Sequence, residues 1–133
     1  MIKWTIKYTT YDGEDVEEDF YFHLNKAELA KMQFDANGAY SQYIERLQNE
    51  RDLKELGQLY ANIILSSYGK KSDDGRIFRK SKEMRDEFEC SEAYSVLFME
   101  LLSDADKAAK FAKGVLPTDL QGASIENKIQ AAK

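Results

Sequence analysis

One histidine and one cysteine set narrow limits on the chemistry this sequence can hold. His23 has no second histidine and no cysteine pair to join it, so zinc binding by the usual His/Cys spacing is excluded. A Ser–His–Asp triad would have to use His23, and no serine lies in a nucleophile elbow. Cys90 stands among Glu87, Glu89 and Glu92, without the electropositive setting a nucleophilic thiol requires. Both residues are read as structural. The acidic run Asp12, Glu14, Asp15, Glu17, Glu18 and Asp19 misses the ligand offsets of a calcium loop and reads as a solvated hairpin tip. No catalytic residue, cofactor or metal is expected, and the chain is not read as an enzyme.

The second candidate is electrostatic. Residues 70–85 carry seven basic side chains and three acids, a local excess in a chain of net charge −5. Arg76, Arg79 and Lys80 could contact phosphate. The glycine spacing of a phosphate-binding loop is missing, and only Tyr68 and Phe78 offer the stacking that single-stranded nucleic acid needs. The acidic whole opposes nucleic acid. The window reads as a connector with local positive charge that can guide a partner.

Several elements must position these groups. In "IKWTIKYT" (2–9), Ile2, Trp4, Ile6 and Tyr8 alternate with polar residues, as in a strand buried on one side. Asp12-Gly13 signals a hairpin into a second strand over 16–24, and Lys3 and Lys7 can pair across it with Glu17 and Asp19. Asn25 and Glu28 form a capping-box pattern, with Leu24 and Leu29 as its hydrophobic staple, opening a helix over 26–34. "DANG" (35–38) breaks it. Tyr40, Tyr43, Ile44 and Leu47 mark a further helix. Another begins near Asp52, with Leu53, Leu56, Tyr60, Ile63 and Ile64 as its stripe, and Gly69 as its stop. "RIF" is too short to read as a strand. Ser81 is an N-cap for a helix burying Met84 and Phe88. A helix follows over 91–102, and "SDAD" (103–106) restarts one through Phe111 that Gly114 ends.

The fold expected is α+β: an N-terminal β-hairpin (1–24) followed by a bundle of about five or six α-helices, mainly α. Residues 1–117 would form one globular domain, in keeping with a 133-residue chain, and 118–133 a loosely held tail. The single cysteine suits a reducing cytoplasm, no signal segment opens the chain, and no apolar run is long enough to span a membrane. Within 91–102, Tyr94, Phe98, Leu101 and Leu102 make a wide apolar stripe that suits a core, a partner or a second copy of the chain.

Three strings carry a resemblance: "EDFYFHLNKAEL" (18–29), "SYGKKSDDGRIFRKS" (67–81) and "EAYSVLFMELLSDADKAAKFAKGVLP" (92–117). They resemble a family of small bacteriophage proteins similar to the tail assembly chaperones of long-tailed phages, over about residues 15–117. The resemblance implies a helper in the cytoplasm of the infected bacterium that binds the tape measure protein and keeps it soluble while the tail assembles. The implied partners are the tape measure protein or other tail proteins, without nucleic acid or membrane, and homo-oligomers are possible for such a factor. The binding residues would be Tyr94, Phe98, Leu101 and Leu102, with Arg76, Arg79 and Lys80 as an electrostatic guide. Two rival readings are a virion component of the tail or head, and a small effector that binds a host defence protein.

Overall fold

A computed structural model describes residues 1–31 and 52–117, together with Asn49. The expected helix marked by Tyr40, Tyr43, Ile44 and Leu47, the "DANG" break and the 118–133 tail lie outside the described residues.

The chain opens with the hairpin its alternation predicts. Strands β1 (Ile2–Thr9) and β2 (Asp15–Phe22) pair antiparallel from Ile2 opposite Phe22 to Thr9 opposite Asp15. Thr10 N–H donates to Glu14 O at 2.8 Å and closes the turn, while Gly13 takes φ +88°, a backbone that a residue with a Cβ adopts only under strain. On the outer face Lys7 meets Glu17 at 3.5 Å and Lys3 meets Asp19 at 3.9 Å, the cross-strand charge pairing read from the sequence. On the inner face Ile6 and Phe22 are fully buried.

The capping box after β2 forms as written. Asn25 Oδ1 accepts from Glu28 N–H at 2.8 Å, and Asn25 N–H donates to Glu28 Oε1 at 3.0 Å. It starts helix α1 (Lys26–Lys31), and the staple residues Leu24 and Leu29 are both buried. Helix α2 (Leu53–Ser67) begins on Asp52, whose carboxylate accepts from Lys54 N–H at 2.9 Å.

The chain leaves α2 differently from the sequence reading. Gly69 does not stop the helix. Tyr68 is already extended, and Tyr68–Lys71 form β3 against β2, with Tyr68 opposite Phe22 and Gly69 opposite Tyr21. Phe78–Arg79, starting at the last residue of the short string "RIF", form β4 against β3. The hairpin thus grows into a four-stranded antiparallel sheet of order β1-β2-β3-β4. Gly69 serves close approach: a Cβ there would stand 2.6 Å from the Phe78 ring and 2.7 Å from Arg79 O. A strand pair this short persists because three or more strands share one packed face.

Three helices complete the described fold. Ser81 caps α3 (Lys82–Glu89) by accepting from Met84 N–H at 3.0 Å. Ser91 caps α4 (Glu92–Ser103), and Asp104 caps α5 (Ala105–Gly114). The five helices and the sheet make the α+β architecture expected, with two more strands than the hairpin alone. Aromatic rings hold the centre. Phe22 contacts Phe111, Tyr68 and Phe88 with ring centroids 5.0–5.9 Å apart. Tyr68 and Phe88 stack at 4.2 Å, and Trp4 meets Phe111 edge-on at 5.4 Å. Each such pair adds about 0.5–1.5 kcal/mol beyond its buried area. Val115 and Leu116 are fully buried, and Val115 O accepts from Leu24 N–H at 2.7 Å, tying the end of α5 to the end of β2.

Candidate partner-binding surface

Helix α4 sorts its apolar residues into two neighbouring rows. Ala93, Leu97 and Leu101 face the core at 0–1% exposure. Tyr94, Phe98 and Leu102, each one residue later, are half-buried and lie against that core. One step of an α-helix turns by about 100°, so the second row sits on the flank of the first. Tyr94 touches Phe88 at 5.8 Å and Phe98 at 6.0 Å. Phe98 rests on α2 where Gly57 leaves room, its ring 3.4 Å from where a Cβ would be. Beside this flank Met99 is 54% exposed, and Leu53, one turn before Gly57, is 71% exposed.

Of the four apolar residues singled out by the sequence, three therefore reach the surface. Leu101 does not: it is part of the core. Leu53 and Met99 were missed as surface residues, because a helical stripe read from sequence does not say which edge of a wide stripe turns outward.

The basic window is a built turn. Ser72 Oγ donates to Asp74 Oδ1 at 2.7 Å, and the same oxygen of Asp74 accepts from Arg76 N–H at 3.0 Å. Ile77 N–H donates to Ser72 Oγ, and Gly75 takes φ +73°. The Ser72 hydroxyl, followed by the Arg76 amide, holds the Asp74 carboxyl below its ordinary value. Arg76 and Arg79 are exposed, free to meet a charged partner.

Lys80 is placed otherwise. Its ammonium donates to His23 O at 2.6 Å, Glu28 Oε2 at 2.6 Å and Ser66 O at 2.9 Å, which uses all three of its protons. The side chain is only 18% exposed, and burial lowers its pKa despite the support of Glu28. Lys80 joins the ends of β2 and α2 to α1, so of the three basic residues singled out by the sequence only Arg76 and Arg79 are exposed. An open hollow of about 460 Å³ lies beside it, with Lys31, Ser81 and Arg85 on its rim.

The remaining candidates for chemistry are separate from one another. His23 lies just beyond β2 with its ring edge-on to Phe78 at 6.2 Å. Burial, then the charges of the N-terminal ammonium and Lys80, lowers its pKa. Cys90 is a free, exposed thiol, and its backbone oxygen accepts from the Tyr11 hydroxyl at 2.9 Å. On the inner face of the hairpin the Tyr8 hydroxyl donates to Glu18, an interaction that, with some desolvation, raises the tyrosine pKa to about 12. Among the described residues no group of three or more His, Cys, Asp or Glu side chains could hold a metal ion, and no helix is long and apolar enough to cross a membrane.

The family model described as phage tail assembly chaperone matches residues 1–133. The chain belongs to that family. No curated protein and no solved structure matches it. A chaperone family is not an enzyme class, and membership of this one suggests phage tail proteins as partners. The flank of α4 with the start of α2, and the turn bearing Arg76 and Arg79, are two of the places where the described residues expose apolar area and positive charge.

Proposed function

We propose that this chain binds the tape measure protein, in the cytoplasm of the infected bacterium, and keeps it soluble while the tail assembles. The observation that carries the reading is the family match over residues 1–133. The exposed chemistry supports it. A long helical client offers apolar ridges at helical spacing, and a surface that receives them needs apolar side chains that the core has not consumed. Phe98, Leu102 and Tyr94, with Met99 and Leu53 beside them, answer that need. Arg76 and Arg79 would steer acidic stretches of the client, adding to encounter rate more than to final affinity.

Co-expression with the tape measure protein tests the proposal. The client is expected in the soluble fraction with this chain and in the pellet without it. A client equally insoluble in both would overturn the claim. Mass spectrometry of purified virions separates it from a structural role, since a chaperone leaves the finished particle.

A further inference from the structure

The hairpin has a second edge. Because Thr10 N–H bonds Glu14 O, the ladder places Tyr8, Ile6, Trp4 and Ile2 in the hydrogen-bonded pairs with β2. Antiparallel strands alternate such pairs, so Lys3, Thr5, Lys7 and Thr9 turn their N–H and C=O groups away from β2. The same alternation in β2 sends odd-numbered residues toward β3, and His23 N–H indeed reaches Ser67 O at 2.8 Å. Strand order makes β1 an edge. Among the described residues no strand lies beyond its eight residues.

An edge this long is a template for another strand unless its chemistry forbids one. The side chains along it are Lys3, Thr5, Lys7 and Thr9, and the lysines are 57% and 82% exposed. Strand β2 shows what these side chains accept. Lys7 meets Glu17, Lys3 meets Asp19, Thr5 Oγ donates to Asp19 at 2.6 Å, and Thr9 Oγ donates to Asp15 at 2.8 Å. The matching strand thus carries acids at alternate positions on one face and apolar residues such as Val16 and Phe20 on the other. A second copy of β1 fits poorly. Pairing about Thr5 sets Lys3 against Lys7 of the second copy, and any register adds two more lysines to a face that already has two, a like-charge arrangement that destabilises a sheet.

We propose that the edge of β1, open among the described residues, takes up an extended acidic segment of a protein partner as an added strand. Its main chain pairs with Lys3 to Thr9, its carboxylates sit over Lys3 and Lys7, and its apolar side chains continue the row of Trp4 and Tyr8. This is strand addition, on a surface and with a chemistry distinct from the apolar flank of α4.

The probe is a capped peptide of the β2 sequence, Asp-Val-Glu-Glu-Asp-Phe-Tyr-Phe, titrated into the full chain and followed by amide NMR shifts. Saturable binding is expected, with the largest shifts at Lys3, Thr5, Lys7 and Thr9. Raising salt from about 50 to about 500 mM should weaken it roughly tenfold, as should the double substitution Lys3→Glu with Lys7→Glu. N-methylation of one alternate set of peptide amides should abolish binding and methylation of the other set should not, a result that leaves the protein untouched. No binding at millimolar peptide, indifference to both methylation patterns, shifts centred on β2 through strand exchange, or dimerisation of the free chain through β1 would each overturn the proposal.

Discussion

Lys80 invites a decisive substitution, because its sequence neighbours and its surroundings suggest opposite roles. Lys80→Met keeps most of the side-chain volume and removes the ammonium. Three acceptors then lose their donor: His23 O, Ser66 O and Glu28 Oε2. Hydrogen bonds to a charged group contribute about 1.5–3 kcal/mol each in favourable cases. They are not additive here, since the native ammonium already bears a burial cost that lowers its pKa and water can reach Glu28, which is 30% exposed. Breaking a fully buried pair costs about 3–5 kcal/mol and an exposed one under about 1, so a half-screened clamp should cost about 2–3 kcal/mol. The assay is urea unfolding at fixed pH, read as a lower midpoint with an unchanged slope. Glu28→Gln, alone and combined with Lys80→Met, should show a coupling of about 1 kcal/mol or more. A loss below about 0.5 kcal/mol with no coupling would refute the clamp and return Lys80 to the solvated surface.

Other outcomes follow from the same geometry. Gly69→Val should cost about 1–3 kcal/mol, because a Cβ meets Arg79 O, a backbone atom that cannot step aside without moving β4; thermal melting checks it. Asn25→Ala should cost about 1 kcal/mol by opening the capping box, again measured by urea midpoint. His23 is held below its ordinary value of 6.5, so the unfolded chain binds the proton more readily. Stability should therefore fall as pH drops through about 6.5, and His23→Gln should flatten that part of the stability–pH curve. Phe98→Glu should weaken the proposed capture of the tape measure protein by roughly tenfold or more while leaving the circular dichroism spectrum unchanged; an unaltered pull-down would remove the flank of α4 from the proposed binding surface.

What could be read from the sequence was whatever a few adjacent residues decide. Asn25 with Glu28, Asp52 and Ser81 each write a helix start within four residues, and each cap is made; "SDAD" marks a restart, and the structure puts its cap on Asp104. The hairpin register follows from alternation on both strands and a short turn. Strand β3 was illegible because nothing local makes Tyr68–Lys71 extended. Its strand state comes from pairing with Tyr21 and Phe22 and from the close approach that Gly69 permits. The surface was half legible for a related reason. Spacing shows that Leu97, Phe98, Leu101 and Leu102 share a broad face, but the position of β1 and α2 decides that Leu97 and Leu101 go in while Phe98 and Leu102 stay at the edge. Arg79 and Lys80 look alike as letters. Only the carbonyls of His23 and Ser66, brought together by folding, tell them apart.

The tie between Leu24 and Val115 has a bearing on timing. Phe22 sits in a hairpin that precedes the other described elements along the chain, yet its ring partners come from β3, α3 and α5, and its neighbour Leu24 is bonded only after Val115 exists. Contacts of such long sequence separation close late and slowly. Until they close, the nascent chain carries its own exposed apolar segments. A chain halted after Phe111 should therefore bind a hydrophobic dye such as ANS and be degraded quickly, whereas one halted after Pro117 should do neither. Val115 and Leu116, both buried in the finished core, are the residues whose arrival should bring that exposed condition to an end.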